Sequence, residues 1–210
     1  LAHELGLGEP LKFETKSTST SRELFYTYDA LRRFHDSHNG RAAVNALAYI
    51  NYGPLGAAII QSRDPATLTG LLPEGFGHGG RRRSVVLIDE VDKAPRDFPN
   101  DLLNEVEQLY FRILELGDVK IEADPEFPPV LVITSNSEKD LPDAFLRRCV
   151  YYNIPFPDRQ RLLEVVRARL GLPAGSDAFL DDALELFLKL REPAAGLRKP
   201  PATAELLGWL

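Results

Sequence analysis

Residues 84–88 read SVVLI and residues 130–134 read VLVIT, two unbroken apolar runs of strand length. A strand shows this pattern when both of its faces are buried, as in a parallel sheet covered by helices. Residues 150–154 form a third such run, and residues 11–16 (LKFETK) alternate apolar and polar side chains. These runs alternate with helix-periodic segments, which predicts an α/β core. Thr20 and Glu23 have capping-box spacing, with Leu24, Tyr28 and Leu31 following at helical intervals. Residues 97–116 predict one long helix, with Leu102, Val106, Leu109, Ile113 and Leu116 as its apolar stripe. Residues 63–80 read as loop, and residues 119–127 as a short hairpin. After 155–158 (PFPD) only helices are predicted, over 159–170, 177–191 and about 203–210. The expected organisation is therefore a core over 1–157 and a small helical domain over 158–210.

Residues 42–60 carry no charge, but Asn45, Asn51 and Gly53-Pro54 interrupt them. Two buried helical pieces meeting at Gly-Pro are expected there rather than a membrane span. The formal net charge is -6, which gives the whole domain no attraction to nucleic acid or to an anionic membrane. Cys149 is the only cysteine, so a disulfide framework and a cysteine zinc site are excluded. A lone thiol fits a reducing compartment, and a cytoplasmic location is expected. His35 and His38 lie three apart without a third ligand in view, and they predict no metal site. The Arg81-Arg82-Arg83 run reads as a solvated lead-in to the next strand, and GFGHGG over 75–80 as a flexible loop.

The chemistry concentrates where the apolar runs end. VVLIDEVDK closes on Asp89 and Glu90, and ligands of parallel α/β sheets bind at the carboxyl ends of strands. Two carboxylates there suit a hard cation such as Mg²⁺ with phosphate beside it. Asp89 would hold the cation's shell through water, and Glu90 would polarise an attacking water. VLVITSN ends on Asn136, which could orient that water. DAFLRRC brings Arg147 and Arg148, and arginine is suited to stabilising phosphoryl charge.

The order of these elements resembles the AAA+ ATPases. DEVDK matches the Walker B motif, TSN the sensor 1 motif, and LRRC the arginine-finger segment, with Arg148 as first choice and Arg147 second. The tail LRKPPATAELLGWL looks like the sensor 2 helix, with Arg198 or Lys199 in that role. DEVDKAPRDFPNDLLNEVE, LPDAFLRRC and KPPATAELLGWL are similar to the MoxR-like branch, and the hairpin ahead of the sensor 1 strand fits it. The resemblance implies a P-loop NTPase αβα core with a parallel sheet and a C-terminal helical lid. It implies ATP and Mg²⁺ as ligands, and self-association into a ring, commonly a hexamer. It also implies ATP hydrolysis coupled to remodelling or maturation of client proteins. A DNA-directed motor and a nucleotide-free interaction module are the alternatives.

No GxxxxGKS/T string, the Walker A phosphate loop of that family, occurs in the sequence. Residues 1–5 (LAHEL) look like the helix that follows this loop, and the chain contains no methionine. The expectation is a fragment whose P-loop and first strand precede Leu1, and which alone binds ATP poorly.

Overall fold

The structure, a computed structural model, describes residues 2–39, 45–136, 141–171, 177–193 and 196–210. The chain forms two compact units, Leu1–Tyr151 and Tyr152–Leu210.

The first unit is mixed α/β. Its main sheet has three parallel strands, β1 (Leu11–Glu14), β4 (Val85–Asp89) and β7 (Val130–Ile133), in the order β1-β4-β7. Leu11 pairs with Val86 and Glu14 with Asp89; on the other side Val85 pairs with Val130 and Ile88 with Ile133. Leu11, Phe13, Val86, Ile88, Leu131 and Ile133 join the unit's apolar core. Helix α2 (Pro54–Ser62) packs into the same core through Leu55, Ala58, Ile59 and Ile60. It is apolar nearly all round, as a helix enclosed on most sides must be. Pro54 stands in its first turn, where a missing N–H costs nothing.

Several expected helices are replaced by extended chain. Thr20 makes no side-chain cap, and Ser21–Leu24 forms only a 3₁₀ turn. The chain then runs as β2 (Tyr26–Tyr28), antiparallel to β3 (Ile50–Tyr52). Helix α1 (Ala30–His38) begins only after Asp29, whose side chain accepts the Arg32 N–H at 2.8 Å. Aromatic and β-branched residues at 25–28 favour extended chain once a partner strand lies alongside. The first helical piece expected within 42–60 is likewise a 3₁₀ turn, Ala46–Tyr49, leading into β3, while residues 42–44 lie outside the described residues. No helix among the described residues is long and apolar enough to cross a membrane.

The long helix expected over 97–116 is broken into α3 (Phe98–Asp101), α4 (Leu103–Gln108) and β5 (Tyr110–Ile113). Leu109 turns the chain at φ 49°, and β5 pairs antiparallel with β6 (Val119–Glu122). Leu102 and Ile113 of the expected stripe are buried by this different backbone path, and Phe111, off the stripe, is buried with them. Where a helix is expected at 1–5, the described residues 2–6 form turns, and Leu1 lies outside the described residues.

The expected strand at 150–154 does not form. Val150, Tyr151, Tyr152 and Ile154 are exposed, and among the described residues no strand pairs with this run. An apolar run becomes a strand only when a neighbour satisfies its backbone N–H and C=O groups.

The second unit consists of α6 (Arg159–Leu170), α7 (Asp177–Arg191) and α8 (Thr203–Trp209), as the periodicity predicts. Asp158 caps α6 by accepting the Arg161 N–H at 2.8 Å. Leu162, Val166, Leu180, Leu184, Phe187 and Leu206 form a separate core, at i, i+3 and i, i+4 spacings within α6 and α7.

Candidate functional site at the ends of β4 and β7

Strands β4 and β7 are parallel neighbours, so the residues that follow them emerge at the same edge of the sheet. Pairing continues past Ile133: the Thr134 N–H donates to Ile88 O at 2.9 Å, and the Val91 N–H donates to Thr134 O at 2.9 Å. This places Thr134 opposite Asp89. The Thr134 hydroxyl donates to Asp89 Oδ1 at 2.7 Å and accepts the Glu90 N–H at 2.8 Å.

Glu90 has φ 55° and ψ 52°, a left-handed backbone that residues other than glycine resist because of their Cβ. Asn136 Nδ2 donates to Glu90 Oε1 at 2.8 Å, and Lys93 Nζ donates to Glu90 Oε2. The Asn136 backbone N–H donates to Asp92 Oδ1 at 3.1 Å, and Asp92 is buried. Strained residues held by several bonds occur at functional sites more often than elsewhere.

Asp89 is held from both sides. Lys12 Nζ on β1 lies 3.0 Å from Asp89 Oδ2 and 3.1 Å from Glu14 Oε1. The Thr134 hydroxyl, and after it the Lys12 ammonium, hold the Asp89 carboxyl below the usual carboxylate range. Lys12 is shifted up by the same pairing with Asp89 and then by Glu14.

Three of the sequence-predicted residues, Asp89, Glu90 and Asn136, therefore meet at one strand edge. Arg147 and Arg148 stand exposed after α5 (Asp143–Leu146). Arg148 Nε pairs with Glu107 Oε2 at 2.9 Å, and its Nη1 donates to Ala144 O at 2.9 Å. Arg198 and Lys199 belong to the second unit, exposed ahead of α8 and separated from it by Pro200-Pro201. Sequence reasoning missed Thr134 and Lys12. Thr134 stands in the TSN string, where the sequence assigns a role to Asn136 alone, and its own role emerges from the cross-strand register.

The donor chemistry fits a hard cation in part. Asp89 Oδ2 already faces a positive charge, the Lys12 ammonium. Among the described residues no cluster of three or more candidate ligands exists, so phosphate and water would complete the shell of a bound Mg²⁺. Two concave regions, of about 230 and 260 Å³, lie elsewhere: one is lined by Arg22, Tyr26 and Phe111 among others, the second by Arg63, Lys120 and Glu122.

No family model matches the chain, and no curated protein matches it. Among solved structures it is similar to that of a candidate ATPase from Cytophaga hutchinsonii, at 14% sequence identity and a TM-score of 0.42. That match covers 95% of this chain and 44% of the other, so this chain spans less than half of that protein's length.

Proposed function

We propose that the chain is the hydrolytic part of a MoxR-like AAA+ ATPase whose phosphate loop lies outside these 210 residues. The observation that carries this reading is the strand-end constellation: Asp89 and Glu90 following β4, with Thr134 and Asn136 following β7 and bonded to both. A Mg²⁺ ion bound with ATP would neutralise charge on the β- and γ-phosphates. Asp89 is the acceptor for that ion's shell, through Oδ2, which must then exchange its pairing with Lys12 at 3.0 Å. Glu90 is the carboxylate that accepts a water proton, and Asn136 sets its direction. The absence of a GxxxxGKS/T string means that no nest of backbone N–H groups from that motif is available to cradle phosphates.

The remaining parts of the proposal extend from the resemblance. Arg148, or Arg147 beside it, serves the active site of a neighbouring subunit in a ring, where such an arginine contributes roughly 10³–10⁵ in rate. To do so Arg148 must exchange its pairing with Glu107. Residues 158–210 act as a lid, with Arg198 or Lys199 reaching the nucleotide. Hydrolysis is coupled to remodelling of a client protein.

The test begins with the coding DNA upstream of the Leu1 codon. A GxxxxGKS/T segment in frame supports the proposal, and the protein so extended should release phosphate from ATP in a Mg²⁺-dependent way. A stop codon or unrelated sequence there, or an extended protein with no activity above the enzyme-free rate, overturns the enzyme reading.

A further inference from the structure

Thr134 contacts four consecutive residues of the neighbouring strand end. Its N–H donates to Ile88 O, its hydroxyl donates to the Asp89 carboxylate, its Oγ1 accepts the Glu90 N–H, and its carbonyl accepts the Val91 N–H. Two of these bonds come from the side chain, and they address the two acids to which different chemical roles fall. We propose that Thr134 is a positioning residue that couples the cation-side carboxylate, Asp89, to the water-side carboxylate, Glu90. The inference rests on the function proposed above and deepens it.

A hydroxyl has one proton to give and lone pairs with which to accept. Here both capacities have definite partners. The proton goes to Asp89 Oδ1, which requires that oxygen to be an acceptor and leaves Oδ2 to the Lys12 ammonium at 3.0 Å, the pairing that an incoming cation's shell would replace. A lone pair takes the Glu90 N–H, the amide of the residue with the left-handed backbone. That backbone breaks the strand's alternation immediately after Asp89, in the conformation in which the Glu90 carboxylate meets the Asn136 amide. Left-handed backbone costs a residue with a side chain roughly 1–2 kcal/mol, so it persists only where bonds hold it. Thr134 supplies two such bonds, Oγ1 to the Glu90 N–H and the carbonyl to the Val91 N–H.

A threonine placed only to end a strand would behave differently. Valine has the same branching and nearly the same volume, so it preserves the packing and strand preference while losing both hydroxyl bonds. Serine keeps the hydroxyl and loses the branch.

The experiment compares Thr134→Val and Thr134→Ser by two readouts. The first is amide hydrogen exchange by NMR in the 210-residue chain. Thr134→Val should speed exchange at Glu90 roughly tenfold, with a smaller change at Val91, whose bond goes to the backbone carbonyl. Thr134→Ser should leave both near wild type. The second is steady-state ATP hydrolysis by the extended protein. Thr134→Val should lower kcat about 10–100-fold, as loss of a partner behind a catalytic or metal-binding group does, with KM for ATP changed less than about threefold. Thr134→Ser should recover most of that loss. A Thr134→Val protein with wild-type kcat and wild-type exchange at Glu90 overturns the inference, and so does a serine variant as impaired as the valine one. A wild-type extended protein that hydrolyses no ATP overturns instead the functional reading on which the coupling rests, and the exchange data then still show whether Thr134 holds Glu90.

Discussion

Asn136 Nδ2 lies 2.8 Å from Glu90 Oε1, so the amide that follows one strand holds the carboxylate that follows its neighbour. With Lys93 on the other oxygen, Glu90 has a fixed direction despite its exposure. In an ATP-hydrolysing form of the protein, Glu90→Gln should lower kcat by about 10²–10⁴, the usual contribution of a positioned general base. Asn136→Ala removes one of the two holds on that base and should cost less, about 10–100-fold. Nucleotide affinity, followed by titration with a fluorescent ATP analogue, should change only a few-fold in either variant. An Asn136→Ala protein that turns over at the wild-type rate would take Asn136 out of the site.

Strands β4 and β7 were legible in the sequence because each leaves a mark, an apolar run followed at once by polar residues, although β7 is only half-buried along its length. The helices of the second unit were legible because each buries one stripe. The failures share a cause. Residues 97–116 satisfy a helical stripe as far as Leu116, yet Tyr110–Ile113 pair with Val119–Glu122 and bury Phe111, off that stripe, together with Ile113, which is on it. Periodicity records which residues are buried, and a distant partner decides the backbone that buries them. The same competition converts residues 26–28 and 50–52 into a ribbon. Asp89, Glu90 and Asn136 were visible as charge or amide at strand ends. Thr134 and Lys12 were not, because only the register of β1-β4-β7 brings them to Asp89.

The left-handed backbone at Glu90 inverts an ordinary substitution preference. At most positions alanine is the more stabilising of alanine and glycine, since glycine surrenders more backbone freedom on folding. At φ 55° and ψ 52° a Cβ is unfavourable and glycine is at ease. Glu90→Gly should therefore be more stable than Glu90→Ala by about 1 kcal/mol in urea unfolding, while both lose hydrolysis. If alanine proves the more stable of the two, the strained turn after β4 is wrong.

Acid should weaken the first unit through Glu115 and Asp89. Burial pushes the Glu115 carboxyl up, but Arg22, its own backbone N–H and the Tyr26 hydroxyl together hold it below its usual value. Tyr26 donates to Glu115 Oε2 at 2.9 Å, and the side chain of Glu115 is only 18% exposed. Asp89 is also held down, by Thr134 and then Lys12. A carboxyl depressed in the folded state binds fewer protons there than in the unfolded chain. Its stabilisation is complete above the unfolded value, near pH 4, and fades as pH falls through the lower folded value. Urea midpoints should hold between about pH 7 and 5 and then drop. Glu115→Gln should be less stable at pH 7 and show a shallower acid limb, whereas an unchanged acid limb would remove Glu115 from the account.

Glycine at 56 is required by a contact rather than by its backbone angles. A Cβ there would lie 1.9 Å from Phe25 O, and one at Gly53 2.1 Å from Glu23 O. Both obstacles are backbone oxygens, so no side chain can swing aside. Phe25 O also accepts the Gly53 N–H at 2.9 Å, and pushing α2 away from residues 23–25 would stretch that bond. Against this stands the gain of alanine over glycine inside a helix, at most about 1 kcal/mol. Overpacking costs typically 1–3 kcal/mol, so Gly56→Ala should destabilise the first unit. Gly208→Ala in α8 is the matched control, because a Cβ there meets nothing within 4 Å and only the helical gain remains. The two units need separate probes, since they need not unfold together. The single tryptophan, Trp209, reports on the second unit by fluorescence, and tyrosine circular dichroism is weighted to the first. The same Gly→Ala change should therefore lower the urea midpoint at position 56 and raise or preserve it at position 208. A stabilising Gly56→Ala would mean that α2 does not rest on the backbone of residues 23–25.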